Sequence, residues 1–184
     1  MRKQFRKYKR SEKTDYAKRL SMLKSGIPRL VVRITQKNLY AQIVEYAPKG
    51  DRILFTSSSA SLAKTGWKGT GNSIPAAYLV GYIIGKKASS KIKGVIVDIG
   101  KRRSVKHSRI YGIVKGAIDG GLKINAEDKI FPSPGRIEGK HISSYAEKLK
   151  QDKKKYEQIF SAYLKKGLSP DKLPDHFQDI KSKI

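Results

Sequence analysis

The stretch "RLVVRITQKNLYAQIVEYAPKGDRILFTSSS", residues 29–59, contains three β-rich runs separated by turn residues. The first two runs, "RLVVRIT" (29–35) and "LYAQIVEY" (39–46), are joined by "QKN", and "RILFTSSS" (52–59) follows "APKGD". Both connections are short enough for hairpins between neighbouring strands. The sequence therefore predicts three consecutive antiparallel strands.

Two glycine-spaced helices and one further strand follow. Residues 74–88 are apolar almost all round, which predicts a buried helix. Residues 108–119 predict a second helix, which Gly120 and Gly121 end. Between them, "GVIVDIG" (94–100) is a continuous apolar run, typical of a strand covered on both faces. Each helix has two glycines four residues apart, which indicates close approach to a neighbouring backbone: Gly81 and Gly85, then Gly112 and Gly116. The order β-β-β-α-β-α predicts an α/β domain with a mixed sheet, helices on both faces and a crossover to the fourth strand.

Three parts of the chain are expected. Residues 1–26 form a basic arm and a short helix, with Thr14 as the predicted N-cap and Gly26 as the stop. Residues 27–124 form the α/β core, and residues 125–184 form a Pro/Gly link, "FPSPGRIEGK", followed by helices. One of these helices has an amphipathic stripe, expected to dock on its own domain or on a neighbour: Tyr156, Ile159, Phe160, Tyr163 and Leu164.

The charge indicates a polyanionic partner. The chain has 41 Lys and Arg against 15 Asp and Glu, a net charge of +26, and its first 135 residues carry 29 of the basic and only 8 of the acidic residues. Such an excess is tolerable when nucleic acid or lipid headgroups neutralise it. No run of 18 apolar residues occurs, and the charged N-terminal part has no basic amphipathic helix with a strong apolar face. We therefore expect a nucleic acid rather than a membrane.

The arm is the first candidate site. Six of its first ten residues are Lys or Arg, with Phe5 and Tyr8 interleaved. Basic side chains release counterions from phosphates, and aromatic side chains can stack on unpaired bases. A solvated tail or a localisation patch is the alternative interpretation.

Two later segments could also hold phosphate. The basic segment "GKRRSVKHSRIYG" (100–112) has five Lys or Arg and one His within residues 101–109, where the predicted fourth strand ends and a helix begins. Ligands bind at the carboxyl ends of strands in open α/β sheets. In the glycine loop "TGWKGTG" (65–71), the spacing matches neither the Rossmann nor the P-loop motif. Trp67 either plugs this loop or stacks on nucleic acid, with Lys68 on a phosphate.

Catalytic chemistry has little support. A two-metal nuclease needs several converging carboxylates, but the predicted first strand has none and the fourth has only Asp98. The chain has no cysteine, and its three histidines are too scattered to suggest a metal site. We expect a non-enzyme without metal, cofactor or small-molecule substrate.

Four blocks of the sequence resemble one family along nearly the whole chain. "SEKTDYAKRLSMLKSGIPRLVVRITQKNLYAQIVEY", "LAKTGWKGTGNSIPAAYLVGYIIGKKA", "VDIGKRRSVKHSRIYGIVKGAIDGGL" and "FPSPGRIEGKHI" are similar to large-subunit ribosomal protein eighteen of the archaeal and eukaryotic type. The last block and the tail resemble the archaeal rather than the shorter bacterial form.

The resemblance implies a ribonuclease-H-like arrangement and a structural role in the cytoplasm. It implies binding to 5S rRNA and attachment of that RNA to 23S rRNA in the central protuberance, beside other large-subunit proteins. The RNA-facing positions that it implies are Arg6, Lys7, Tyr8, Arg10, Lys13, Arg19, Lys37, Trp67, Lys68, Thr70, Arg102, Arg103, Lys106, His107, Ser108 and Arg109.

In this interpretation the glycine loop contacts the backbone of the RNA. Gly66, Gly69 and Gly71 are expected to permit unusual φ angles and a close approach of the RNA. Recognition should depend mainly on RNA shape and phosphates, with stacking on unpaired bases. A metal-dependent nuclease of the same topology and a general DNA-compacting protein are the alternatives.

Overall fold

A computed structural model describes residues 14–184 and contains a four-stranded mixed sheet. The strands are β1 (Arg29–Ile34), β2 (Leu39–Glu45), β3 (Arg52–Ser58) and β4 (Ile96–Asp98), in the order β3-β2-β1-β4. Both β1–β2 and β2–β3 pair antiparallel, whereas β4 pairs parallel to β1. The predicted α/β class, the three antiparallel strands and the crossover are confirmed. The strand predicted over 94–100 is shorter and only partly buried, because β4 lies at an edge of the sheet.

Seven α-helices belong to the described residues. They are α1 (Tyr16–Leu23), α2 (Ile74–Ala88), α3 (Arg109–Asp119), α4 (Pro134–Glu138), α5 (Lys140–Leu149), α6 (Lys153–Leu164) and α7 (Leu173–Lys183). The predicted N-cap of α1 was wrong: Asp15, not Thr14, accepts the Lys18 backbone N–H at 3.0 Å. The predicted Pro/Gly link was also wrong, because it forms α4 and the start of α5. Pro134 suits the first turn of a helix, where a missing N–H costs nothing.

The two faces of the sheet differ. Leu30, Val32 and Ile34 alternate along β1 and belong to the apolar core, where α2 contacts β2 and β3 and α3 contacts β1. Arg29 and Arg33 point to the opposite face, where they line a cleft together with residues of the short α1. The core therefore lies between the sheet and the α2–α3 pair, and charged groups occupy the other face.

Helices α2 and α3 meet through their glycines, as predicted. A Cβ atom added at Gly81 would lie 2.0 Å from the Ile113 carbonyl oxygen, and one at Gly116 would lie 2.1 Å from that of Tyr78. Gly81 meets Ile113, and Gly85, one turn later in α2, meets Ala117, one turn later in α3. The contacts therefore advance toward the C-terminus in both helices, which means that the two helices run in the same direction. Both helices consequently begin at the same end of the molecule.

The C-terminal helices continue the same core. Phe177 is buried with its ring 5.6 Å from that of Tyr78, and Leu173 and Ile180 join the cluster formed by the sheet and α2. Of the stripe predicted in α6, Phe160 and Tyr163 are buried, whereas Ile159 and Leu164 stay exposed. The apolar core thus crosses position 124, where the predicted boundary between core and extension lies. Among the described helices, none is long and apolar enough to cross a bilayer.

We predict that Gly116→Ala strongly destabilises the fold. The new methyl group would overlap the Tyr78 carbonyl and lie 2.8 Å from the Tyr82 nitrogen, so the two helices must separate. The expected loss in the free energy of unfolding, measured by urea titration, is about 3 kcal/mol or more. Gly135→Ala in α4 is the matched control, because its methyl group would meet only the flexible Lys140 side chain, at 3.7 Å. Equal unfolding midpoints in the two variants would contradict close helix packing.

Candidate nucleic-acid interface

Three segments that are distant in sequence meet where β1 and β4 end. The Asn72 side-chain amide, just after the glycine loop, donates to the Gln36 carbonyl in the β1–β2 turn at 2.7 Å. From the basic segment, Arg102 donates to the Ile34 carbonyl, and Arg109 donates to the Asn72 carbonyl at 3.3 Å. The seven basic residues of these segments, here called the cationic end, are Lys37, Lys68, Lys101, Arg102, Arg103, Lys106 and Arg109.

Local backbone geometry shapes the basic segment. Gly100 turns the chain after β4 with φ +63°, and its N–H donates to the Asp98 carboxylate at 2.8 Å. His107 has φ +58°, which is uncommon for a residue other than glycine. Its backbone N–H donates to the Ile130 carbonyl at 2.8 Å, and its Nδ1 lies 2.6 Å from the carbonyl oxygen of Phe131. Contacts with residues 130–131 therefore hold the segment in place just before α3.

The segments that form the cationic end contain no acidic residue. Residues 52–97 and 99–118 contain no Asp or Glu, so the glycine loop and the basic segment carry positive charge alone. Arg103 and Lys106 are exposed, and within residues 14–184 neither side chain makes a hydrogen bond or an ion pair. Lys37 and Lys68 are exposed as well. This arrangement attracts a polyanion and leaves several charges available to its phosphates.

Trp67 does not have the predicted stacking role. Its side chain is only 4% exposed, and its ring stacks on that of His176 with centroids 5.2 Å apart. The indole N–H donates to the Thr70 carbonyl at 3.4 Å. A buried indole cannot stack on a base, so Trp67 is the plug of the glycine loop. Thr70 is also engaged, because its hydroxyl shares a hydrogen bond of 3.1 Å with Tyr163.

The loop glycines approach the protein itself. Only Gly66 has an unusual backbone angle, with φ +89°. A Cβ at Gly69 would lie 2.4 Å from the Trp67 ring, and one at Gly71 would lie 3.1 Å from the Lys37 carbonyl oxygen. The expectation that all three glycines serve an RNA backbone was therefore wrong: two of them make room for packing within the loop and against the β1–β2 turn.

The remaining predicted site residues are placed as follows. Ser108 precedes α3, but its hydroxyl is buried without a hydrogen-bond partner and does not cap the helix. Arg19 belongs to α1 and pairs with Asp51 at 2.9 Å, which offsets its charge. The arm residues lie outside the described part of the chain: Arg6, Lys7, Tyr8, Arg10 and Lys13.

Sequence reasoning missed a buried charge cluster on the other face of the sheet. The Arg29 side chain is 3% exposed and lies between two carboxylates, with Asp51 at 2.7 Å and Asp98 at 2.8 Å. Arg33 adds a longer contact with Asp98, at 3.5 Å. Asp98, the acid on which a nuclease would depend, is therefore bound by guanidinium groups. The available signal was the pair of arginines, Arg29 and Arg33, on one face of a strand whose other residues are apolar.

An open α/β sheet that ends in several exposed cations, of which Arg103 and Lys106 have no partner within residues 14–184, defines a polyanion-binding class of protein. The family of ribosomal large-subunit proteins 60S L5 and 50S L18 matches residues 1–95 of the 184. The match spans half of the chain, and the chain therefore belongs to that family. It includes the glycine loop and ends before the basic segment. Membership makes the chain a structural protein of the large ribosomal subunit that contacts rRNA and other ribosomal proteins in translation.

We predict that Trp67→Ala lowers stability rather than removing a contact with RNA. Truncating a buried tryptophan leaves a cavity under the glycine loop, and the expected loss in the free energy of unfolding is about 3–5 kcal/mol. Tyr46→Ala, which truncates an exposed aromatic, is the control and should change stability by no more than about 0.5 kcal/mol. Urea unfolding measures both. An unchanged midpoint for Trp67→Ala would show that the indole is not a plug.

A second prediction concerns pH. Burial, and then the positive charge of Lys68, lowers the pKa of His176, and burial and Arg136 lower that of His141. The folded state thus binds fewer protons than the unfolded state, whose histidines titrate near about 6.5. This contribution to stability is complete above that pH and is lost as the pH falls below it. The urea concentration at the unfolding midpoint should decrease as the pH is lowered from about 7.5 to about 5.5. The decrease should be smaller in His176→Gln. Parallel pH profiles for the two proteins would refute the role of His176.

Proposed function

We propose that this protein binds 5S rRNA through its cationic end and helps to attach that RNA to 23S rRNA in the central protuberance. The proposal rests on family membership together with one structural observation. The β1–β2 turn, the glycine loop and the basic segment converge at one end of the sheet, with no acidic residue in the last two. The protein would work in the cytoplasm as part of the ribosome, with neighbouring large-subunit proteins.

Recognition of the RNA would be mainly electrostatic and geometric. Arg103, Lys106, Lys37 and Lys68 offer flexible charges to phosphates, whereas Arg102 is oriented by its hydrogen bond to β1. With Trp67 buried, stacking on bases falls to other groups, so the described residues favour reading RNA shape over reading sequence. The proposal also includes the RNA contacts predicted for the basic N-terminal arm.

We propose no catalysis. A nuclease on this topology would need free carboxylates on β1 and β4, but the position at the start of β1 is Arg29, which binds the Asp98 carboxylate. Incubating the protein with 5S rRNA and Mg²⁺ or Mn²⁺ tests this inference. Cleavage that disappears in Asp98→Asn would overturn it.

The decisive experiment is a competition titration. Labelled archaeal 5S rRNA bound to the protein is challenged with tRNA and duplex DNA at about 0.15 M salt, where non-specific binding is weakened. We expect the 5S complex to survive excess competitor. Equal displacement by each polyanion would favour a general nucleic-acid-compacting protein and overturn the proposal.

The contribution of the cationic end is tested by Arg103→Ala with Lys106→Ala. The plot of log K against log salt has a negative slope, and each lost phosphate contact should make this slope shallower by about 0.7–0.9. Affinity at low salt should fall as well. The control is Lys91→Ala with Lys93→Ala, which removes the same charge before β4, at the opposite end of that strand. If both pairs change the slope equally, only net charge matters and the cationic end is not the site.

A further inference from the structure

The C-terminal helices contact the glycine loop through polar groups. The Lys68 backbone N–H donates to His176 Nε2 at 3.1 Å, and Lys166 Nζ donates to the Gly69 carbonyl at 3.0 Å. The Tyr163 hydroxyl meets that of Thr70, and the His176 ring covers Trp67. Side chains of α6, α7 and the turn after α6 thus reach four consecutive residues of the loop.

The loop supplies few of these hydrogen bonds itself. Within the described chain, its local bonds are those at its start, from Thr65, Gly66 and Trp67 to the preceding turn, and those to the Thr70 carbonyl. The Lys68 N–H and the Gly69 carbonyl find their partners on His176 and Lys166 instead. Without these partners, the peptide groups around Lys68 would be held only by Trp67 packing. The shape of the loop at Lys68 therefore depends on residues about 100 positions later in the chain.

We infer that the C-terminal helices position the glycine loop for RNA, and that His176 is the principal positioning residue. This inference rests on the proposed function, since it assumes that Lys68 and its neighbours face 5S rRNA. A loop already held in its bound shape loses less conformational entropy on binding, so the same phosphate contacts yield higher affinity. Lys68 is then presented beside the β1–β2 turn and the basic segment rather than sampling other directions.

Histidine suits this position chemically. An imidazole that accepts at Nε2 is neutral and carries its proton on Nδ1, so it can satisfy the Lys68 N–H without adding charge. Its flat ring also covers the indole of Trp67 at an interplanar angle of 20°. The charged groups that face it are Lys68 from the loop, and Asp179 and Lys183 from its own helix.

Two substitutions separate the two contacts of His176. His176→Phe keeps a ring over Trp67 but removes the acceptor for Lys68, whereas His176→Gln keeps an acceptor but removes the ring. Gln178→Ala controls for disturbance of α7, because it removes an exposed side chain of the same helix and its 3.3 Å hydrogen bond to Glu138 but no contact with the glycine loop. The measurements are Lys68 amide hydrogen exchange without RNA, the urea midpoint, and 5S rRNA affinity across salt concentrations at a pH where His176 is neutral.

We expect His176→Phe to remain folded and to show faster hydrogen exchange at the Lys68 amide. Its affinity for 5S rRNA should fall about tenfold, because the loop must then be ordered on binding. The salt slope should not change, because no charge is removed. His176→Gln should recover most of the affinity, and Gln178→Ala should behave as wild type.

The outcomes distinguish the two proposals. If the wild type prefers 5S rRNA and His176→Phe binds it equally well, the positioning inference is overturned and the proposed function stands. Unchanged exchange at Lys68 in His176→Phe would also overturn the inference, since the hydrogen bond would not be holding the loop. If the wild type shows no preference for 5S rRNA, the proposed function is overturned. The inference that the loop is positioned for RNA is then overturned as well. Faster exchange would then still support the bracing of the loop.

Discussion

Helices α2 and α3 pack backbone to backbone, and this contact fixes where the segments that precede them lie. Their backbones approach so closely that a single methyl group at Gly81 or Gly116 would overlap a carbonyl of the partner helix. Because the helices run in the same direction, the glycine loop before α2 and the basic segment before α3 emerge side by side. The hydrogen bond from Arg109 to the Asn72 carbonyl joins them there. Close helix packing in the core thus sets the geometry of the cationic end.

The distribution of charge follows from where the acids lie. Asp51 and Asp98 are both bound to Arg29 on the polar face of the sheet, where a buried guanidinium needs paired carboxylates. Removing one carboxylate would leave Arg29 a buried charge without full compensation. The opposite arrangement holds at the cationic end, whose loops contain basic residues and no acids. One cluster therefore joins the strands, whereas the other leaves its charges available to a partner.

The C-terminal helices have a larger structural role than an appended tail. Phe177 and Leu173 share the core with α2, and Lys181 lies over the rings of Tyr78 and Tyr82 at 5.2 Å and 5.7 Å. From this docked position, α6 and α7 reach the glycine loop through Tyr163 and His176. Core packing and the shape of the loop are therefore coupled through one segment.

Local patterns in the sequence determined the strands at 29–59, the buried helix at 74–88, the glycine spacing and the basic segment, because these depend on side-chain period, turn residues and charge. They did not determine that Trp67 is buried, that Gly69 and Gly71 make room for the protein's own groups, or that Arg29 joins Asp51 and Asp98. Each of these facts requires a partner from a distant part of the chain, such as His176 for Trp67. Periodicity shows which face of an element is apolar but not which residue will cover it. Trp67 faces the core rather than solvent because α7 packs against the glycine loop, a contact that no local pattern specifies.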